Sequence, residues 1–436
     1  MGMACVTCLI PDFGEGPRRV AAGQGDPLDA LARRAAAAVD AEEAVRLTRD
    51  LVRIPSVFRP NDPAGNETAA AAFVTGYLRD RGLDVSVHDA APGRPNVVGD
   101  WHPGRPGRGL ILEGHTDVVT EGDHAAWVHP PFGAALQADR IYGRGAADMK
   151  GGLAAGIVAL DAVRRTAPDL PGHVRIAALA DEEGMMLGVK AFVRGGHAQG
   201  FHGAIICEPE ENEICLHQKG AMRVLASIRG KMSHGAMPYA GVNPIPSAAA
   251  FVTALRDEEA RQQQRHGSHR FLGLPYLTPT TMRAPVFGEP QFNVMAGEAQ
   301  IAIDIRTIPG QDHGELRAVL EGIADGVRRT DARANIALEV VEDRPWTETP
   351  ADAPIVRAVE RAHHAALGAA PRYGGVPGST DGTFLHGWAG IPIVTIGPGR
   401  RDIPHQADEY VEVAELVASA RLYAAAIVFF LGEGAL

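Results

Sequence analysis

Leu110-Ile-Leu-Glu-Gly-His115-Thr-Asp117-Val118 is the stretch from which the rest of the chain can be read. Its first half, Leu110–Glu113, lacks the polar alternation of a half-exposed strand and reads as a strand buried on both faces of a parallel sheet. Just beyond it, His115 and Asp117 stand two residues apart, so an extended backbone points both to one side. A metal-binding histidine donates its second ring N–H to a carboxylate or carbonyl, and Asp117 is placed to be that partner.

Working outward, Asn96–Val98, Val174–Ala180, Ala204–Cys207 and Pro392–Ile396 read as strands of the same buried kind. Helical patterns lie between them. One covers Leu28–Ile54. Another covers Leu153–Arg165, where Ala154, Ala155 and Gly156 permit close approach to the sheet. The last runs from Glu412 to Leu431, with an apolar stripe at Leu416, Ala420, Tyr423, Ile427 and Leu431. Between Lys219 and Asp343 the period changes to two: Met222, Val224, Ala226 and Ile228, then Ile301, Ile303 and Ile305, then Ile336, Leu338 and Val340. That is the mark of an antiparallel sheet with one wet face. The order strand–helix–strand–strand–helix–strand is a split βαβ layout. The fold expected is therefore α/β: a mostly parallel catalytic domain (residues 28–218 and 344–436) interrupted by a smaller α+β, ferredoxin-like lid or dimerisation domain (residues 219–343). Residues 1–27, rich in Gly, Pro and charge, read as a flexible tail.

Acids and histidines recur just after the apolar runs. Asp148 follows a glycine-rich turn, Tyr142-Gly-Arg-Gly-Ala-Ala-Asp148-Met-Lys-Gly-Gly, whose spacing matches no phosphate loop. Its carboxylate suits a cation or an ordinary helix N-cap. Asp181, Glu182 and Glu183 follow Val174–Ala180, Glu208 follows Ala204–Cys207, and His405 lies between the last strand and the final helix. In an open parallel sheet these positions collect along the carboxyl edge, where such folds bind ligands. Crowded carboxylates destabilise one another unless a cation or proton intervenes. Two metal ions resolve the set: His115 and Glu208 on one, Glu183 and His405 on the other, and Asp148 between them. Glu182 is then free to act on water. Zinc fits the donor types, with cobalt or manganese as substitutes.

Taken in order, these motifs resemble the zinc aminoacylase and carboxypeptidase family of acetylornithine deacetylase, succinyl-diaminopimelate desuccinylase and carboxypeptidase G. Ser233-His234-Gly-Ala-Met-Pro, Gly378-Ser-Thr-Asp-Gly and His405-Gln-Ala-Asp-Glu extend the resemblance, which runs from about residue 42 to 430. It implies that Glu182 is general base and acid, that Asp117 orients His115, and that His234 polarises the scissile carbonyl, often in the partner subunit's site. It also implies that Asn293, Arg306, Gly378, Ser379 and Thr380 hold substrate, and that the chain dimerises through the inserted domain. The activity implied is metal-dependent hydrolysis of an amide bond in a small N-acyl amino acid or amine, with dipeptidase or carboxypeptidase action as the alternative. One departure stands out. Gly184-Met185-Met186-Leu187 replaces the glycines common in relatives, and is expected to reshape the pocket wall.

Composition bounds the reading. Lys and Arg number 42 against 53 Asp and Glu, a net charge of −11, which opposes a nucleic-acid surface. Four cysteines, Cys5, Cys8, Cys207 and Cys215, make no disulfide framework and fit a reducing, cytoplasmic setting. No apolar run reaches the roughly 18 residues of a membrane span.

Overall fold

The computed structural model describes residues 26–333 and 335–433, so Cys5 and Cys8 lie outside the described residues. Its centre is a nine-stranded sheet. Four adjacent strands, His173–Leu179, Gly109–His115, Gly203–Ile206 and Ile393–Thr395, run parallel. Antiparallel neighbours, Arg94–Trp101 on one side and Ile214–Gln218 on the other, extend the sheet towards its edges. Gly109–His115 is buried along its whole length, which explains its lack of alternation.

Helices cover both faces. On one face, Gly151–Thr166 and Val413–Gly432 form the main core with the N-terminal helices and Pro354–Ala362. On the other, Leu187–Arg194 and Gly382–Gly387 pack over Ile111, Ala177, Leu179 and Ile206. The first helical pattern is two helices rather than one. Pro27–Ala37 ends, and Asp40 caps Ala41–Val52 by accepting the Glu43 N–H at 3.0 Å. The final helix also corrects its expected amphipathic reading. From Leu416 to Leu431 it is buried nearly all round except at Ala418 and Arg421, because helices crowd it from several sides. By length and composition alone it is apolar enough to cross a membrane, yet 72% of that apolar window is buried inside the fold.

The strand Gly220–Arg229 leaves the main sheet and enters a second, four-stranded antiparallel sheet. Its spatial order is Tyr276–Arg283, Glu298–Thr307, Gly220–Arg229, Asn335–Arg344, which is the ferredoxin-like arrangement. Met222, Val224, Ile301, Ile303 and Ile305 turn inward against helices Pro244–His266 and His313–Thr330. The polar faces of the same strands look towards the main domain, so the inserted unit roofs the carboxyl edge of the parallel sheet.

Close packing of helix Gly151–Thr166 places the loop that precedes it. A Cβ on Gly152 would come within 1.8 Å of the Cys207 carbonyl oxygen. Gly152→Ala should therefore destabilise the protein by on the order of 3 kcal/mol through overpacking against backbone. Thermal melts of the two proteins check this, and an unchanged melting temperature contradicts it.

Candidate active site and metal centre

Each parallel strand delivers a charged or imidazole side chain at its carboxyl end. His115 closes Gly109–His115, Asp181–Glu183 follow His173–Leu179, Glu208 follows Gly203–Ile206, and the loop beyond Ile393–Thr395 carries His405. Asp148 comes from the single turn Ala146–Lys150 ahead of the Gly151–Thr166 helix. Its side chain caps no helix, so the N-cap alternative fails. It faces the two histidines instead.

His115 is fully buried. Its Nδ1–H donates to the Asp117 backbone carbonyl at 2.9 Å, while the nearest Asp117 carboxylate oxygen lies 3.5 Å away. The carbonyl thus takes the place expected for the carboxylate. The Asp117 carboxylate accepts the N–H groups of Glu182 at 3.2 Å and Glu183 at 3.1 Å, so one residue orients both the imidazole and the acidic turn. With Nδ1 carrying the proton, the His115 Nε2 lone pair faces Asp148 Oδ1 at 3.1 Å and Glu208 Oε1 at 3.9 Å. His405 Nε2 lies 3.3 Å from Asp148 Oδ2 and 3.0 Å from Glu183 Oε1. Asp148 therefore turns one oxygen to each imidazole, the disposition of a bridging carboxylate.

A lone pair pressed against carboxylate oxygens is repulsive unless positive charge lies among them. This donor set fits divalent ions on that ground. Two trios, His115–Asp148–Glu183 and His115–Glu182–Glu208, bring their ligand atoms within 4.8 Å of one another. Glu182 stands within the same reach as Glu208 but makes no hydrogen bond with either imidazole among the described residues.

Protonation follows from this crowding. Burial, reinforced by like charges, pushes the carboxyls of Glu182, Glu183 and Glu208 upward. Burial works on Asp148 too, yet hydrogen bonds from His115 and His405 hold it well below the usual carboxylate range. Its bonds to Asp148 and Glu183 raise His405 to about 10. Without metal, protons occupy the cluster where cations otherwise would.

Several supporting residues escaped the sequence reading. One oxygen of Glu409 accepts the N–H groups of Gly145, Ala147 and Asp148 at 3.0–3.1 Å, and the other meets Arg144 at 2.5 Å. It ties the His405 loop to the Asp148 turn, and its place four residues after His405 was the available signal. Asp181 is no ligand. It pairs with Arg94 at 2.7 Å and accepts the N–H groups of Met185 and Leu187 at 3.1 Å each, which shapes the acidic turn. Beneath the cluster, Glu113 and Asp381 are buried with all four carboxyl oxygens lacking a partner among the described residues, and burial lifts Asp381 to about 7.

The cluster floors a cleft of about 430 Å³. Arg306 and Gly378, Ser379 and Thr380 line it. His234 and Asn293 do not. They sit on a short ribbon of the inserted domain, where Ser233–His234 pairs with Val294–Met295 and Gly235 donates to the Asn293 carbonyl at 2.7 Å. The expectation that Gly184–Leu187 reshapes the pocket wall also fails. Met186 turns into the core with Val189 and Phe192, and neither Met185 nor Leu187 lines the cleft.

A parallel sheet with two histidines and a fan of carboxylates at its carboxyl edge, roofed by an inserted ferredoxin-like unit, defines a metallohydrolase. Residues 111–428 match the model of peptidase family M20/M25/M40, and the chain belongs to that family. It is a metal-dependent hydrolase acting on amide bonds. The succinyl-diaminopimelate desuccinylase of Cereibacter sphaeroides is 30% identical over 391 residues, covering 87% of this chain and 96% of that protein. The M20 family metallo-carboxypeptidase Sso-CP2 of Sulfolobus solfataricus shares the fold with a TM-score of 0.73 at 16% identity, over 89% of this chain and 99% of that one. A dinuclear metal-binding M20 peptidase of Bacillus subtilis superposes with a TM-score of 0.66 at 15% identity, over 90% and 98%.

Because divalent ions must displace protons from raised carboxyls and from His405, zinc titration of the metal-free protein should release protons, and apparent affinity should rise with pH. Calorimetry in two buffers of different ionisation enthalpy measures this. Identical heats in both buffers contradict it.

Proposed function

We propose that this hydrolase removes an acyl group from a small N-acyl amino acid or related amine. The observation that carries the reading is an uncommitted carboxylate, Glu182, beside an Asp148 that faces two imidazoles. His115 and Glu208 would hold one ion, Glu183 and His405 the other, and Asp148 both. Zinc suits these donors, with cobalt or manganese able to replace it. When bound, such ions supply Lewis acidity and lower the pKa of water. Asp117 holds His115 in the tautomer that presents Nε2 to the site. Glu182 takes the proton of the attacking water and passes it to the leaving amine nitrogen. Arg306 and the Gly378–Thr380 turn orient the substrate carboxylate from the cleft wall. The long alignment with a desuccinylase favours deacylation over dipeptidase or carboxypeptidase action.

His234 and Asn293 do not line the cleft of their own chain, so a site that uses them needs a second chain. We infer a homodimer through the inserted domain, in which each protomer's His234 completes its partner's oxyanion pocket. Support comes from the same end of that domain, where Tyr239, Phe287 and Phe292 are large, apolar and at least 80% exposed. Cys207 and Cys215 are buried and free, which suits a reducing, cytoplasmic setting.

Glu182→Gln should retain two metals per chain by elemental analysis while kcat falls by about 10²–10⁴-fold. Near-normal turnover would remove Glu182 from its role. A panel of N-acetyl, N-succinyl and N-formyl amino acids against dipeptides separates the two activities. For the dimer, mixing His234→Ala with Glu182→Gln, each inactive alone, should restore activity up to a quarter of the wild-type level per chain, because mixed dimers regain one intact site. No recovery on mixing sinks the shared site.

A further inference from the structure

Away from the metal cluster, histidines gather where a loop of the inserted domain touches the body. The loop Arg270–Leu274 follows the helix Pro244–His266 and is closed by His269 and Gly273, whose backbones exchange two hydrogen bonds of 2.9 Å. Phe271 and Leu272 lie over Gly375, where a Cβ would come within 2.8 and 2.9 Å of their side chains. Lys219 holds the far end by donating to the Leu274 carbonyl at 2.7 Å. Gly375 belongs to the strand Tyr373–Val376, and residues from Val376 to Thr380 line the cleft. The loop is thus a strap between the inserted domain and one wall of the active site.

An imidazole keeps the strap in shape. His269 Nδ1 accepts the backbone N–H groups of Phe271 and Leu272 at 3.2 Å each. Two donors converging on one ring nitrogen require a lone pair there, so the neutral ring carries its proton on Nε2. His217, His269 and Glu348 bring ligand atoms within 4.8 Å of one another, a spacing that would suit a metal ion. The tautomer opposes that use, since a ligating Nε2 needs the proton on Nδ1, against the two N–H groups. What this trio can exchange is a proton.

Its neighbours supply little compensating charge. His217 stands opposite Glu348 in register on the body strand Ile214–Gln218, with its ring centroid 4.7 Å from that of His269. Its Nε2 lies 3.6 Å from a Glu348 oxygen, and its Nδ1 is buried without a partner among the described residues. His386, on the helix Gly382–Gly387, is also within the influence of Glu348. Lys219 and Arg270, whose guanidinium lies 5.0 Å from the Phe271 ring, add positive charge. One half-exposed carboxylate therefore serves three imidazoles and two cations. Burial favours the neutral form of His269, and Glu348 offsets that only in part. A proton on Nδ1 turns an acceptor into a donor, sets it against two N–H groups and removes both caps at once.

We propose that His269 is an acid-released latch: its neutral ring fastens the Arg270–Leu274 strap to the body, and protonation of Nδ1 frees the strap from Gly375 and loosens the cleft wall beside it. The sign follows from burial. It holds His269 below the ordinary imidazole value of about 6.5, so the open loop binds a proton more readily than the closed one. The strap is fully latched above about pH 6.5 and weakens as pH falls below it.

Hydrogen exchange of the metal-loaded enzyme, corrected for intrinsic rates and followed by mass spectrometry at pH 7.5 and 5.5, tests this. Protection of residues 270–274 in the wild type should fall several-fold at pH 5.5, with a ceiling of about tenfold for a ring that titrates near 6.5 when open. His269→Asn should keep its protection at both pH values, because the Asn oxygen caps the N–H two residues on without titrating. His217→Gln, which removes the neighbouring ring, should respond to acid as the wild type does. Equal protection of the wild type at the two pH values overturns the latch, and so does an acid response that survives His269→Asn. If His269→Asn fails to close the strap at pH 7.5, His217→Gln decides: a retained response upholds the latch at His269, and a lost one moves the switch to His217 and overturns it.

Discussion

The structure is organised around an electrostatic conflict. Asp148, Glu182, Glu183 and Glu208 crowd at the carboxyl edge of a buried sheet, and two imidazoles are turned so that their Nε2 atoms face the acids. Like charges in a weakly polarisable setting repel strongly, and the desolvation that pushes these carboxyls upward adds to the cost. Such a cluster persists only when positive charge enters it. Much of the surrounding architecture holds the acids in place against that repulsion. Glu409 fastens the Asp148 turn, Asp181 and Arg94 shape the acidic turn, and the Asp117 carboxylate accepts the N–H groups of Glu182 and Glu183.

The inserted domain answers with the opposite sign. Its helices take the apolar side chains of the alternating strands, which leaves Arg223, Arg306 and Arg344 on the wet face above the acidic floor. An anion lying between the two is attracted by the roof, and is no longer repelled by the floor once cations neutralise it. The chain crosses between the domains at Lys219 and again near Pro345 and Trp346, and the roof and the floor also meet through Lys190 with Glu342, Arg344 with the Gly184 carbonyl, and a loop. That loop, Arg270–Leu274, packs on Gly375, and its Leu274 carbonyl accepts a hydrogen bond from Lys219 at 2.7 Å.

How much was legible beforehand divides along physical lines. Buried strands announced themselves because a parallel sheet covered on both faces tolerates almost no polar side chains, and residues that follow such strands must gather at one edge. His115, Asp148, Glu183, Glu208 and His405 were found in this way. Asp117 was half legible: its proximity to His115 followed from spacing, but whether its carbonyl or its carboxylate met the ring depended on the turn that Glu182 and Glu183 make. Arg94, which pairs with the buried Glu67 as well as with Asp181, and Glu409 left weak signals or none, since an ion pair between residues far apart in sequence has no local pattern. Met186 misled for the opposite reason. A methionine beside an acidic run reads as pocket wall, yet a left-handed backbone at that residue swings it into the core.

By itself, the order of residues determined the two periodicities, and through them a parallel sheet with an antiparallel insertion and an acid or histidine at each strand end. Local sterics and hydrophobic burial dictate those features within a few residues, so a linear string is sufficient to express them. Only the tertiary structure decided that His234 and Asn293 stand apart from the cleft of their own chain, and that Arg223 makes no hydrogen bond among the described residues while Arg306 is taken by Asp304. Those outcomes depend on strand register and on how two domains meet, and Coulomb interactions between distant segments acquire a sign and a size only once the distances exist.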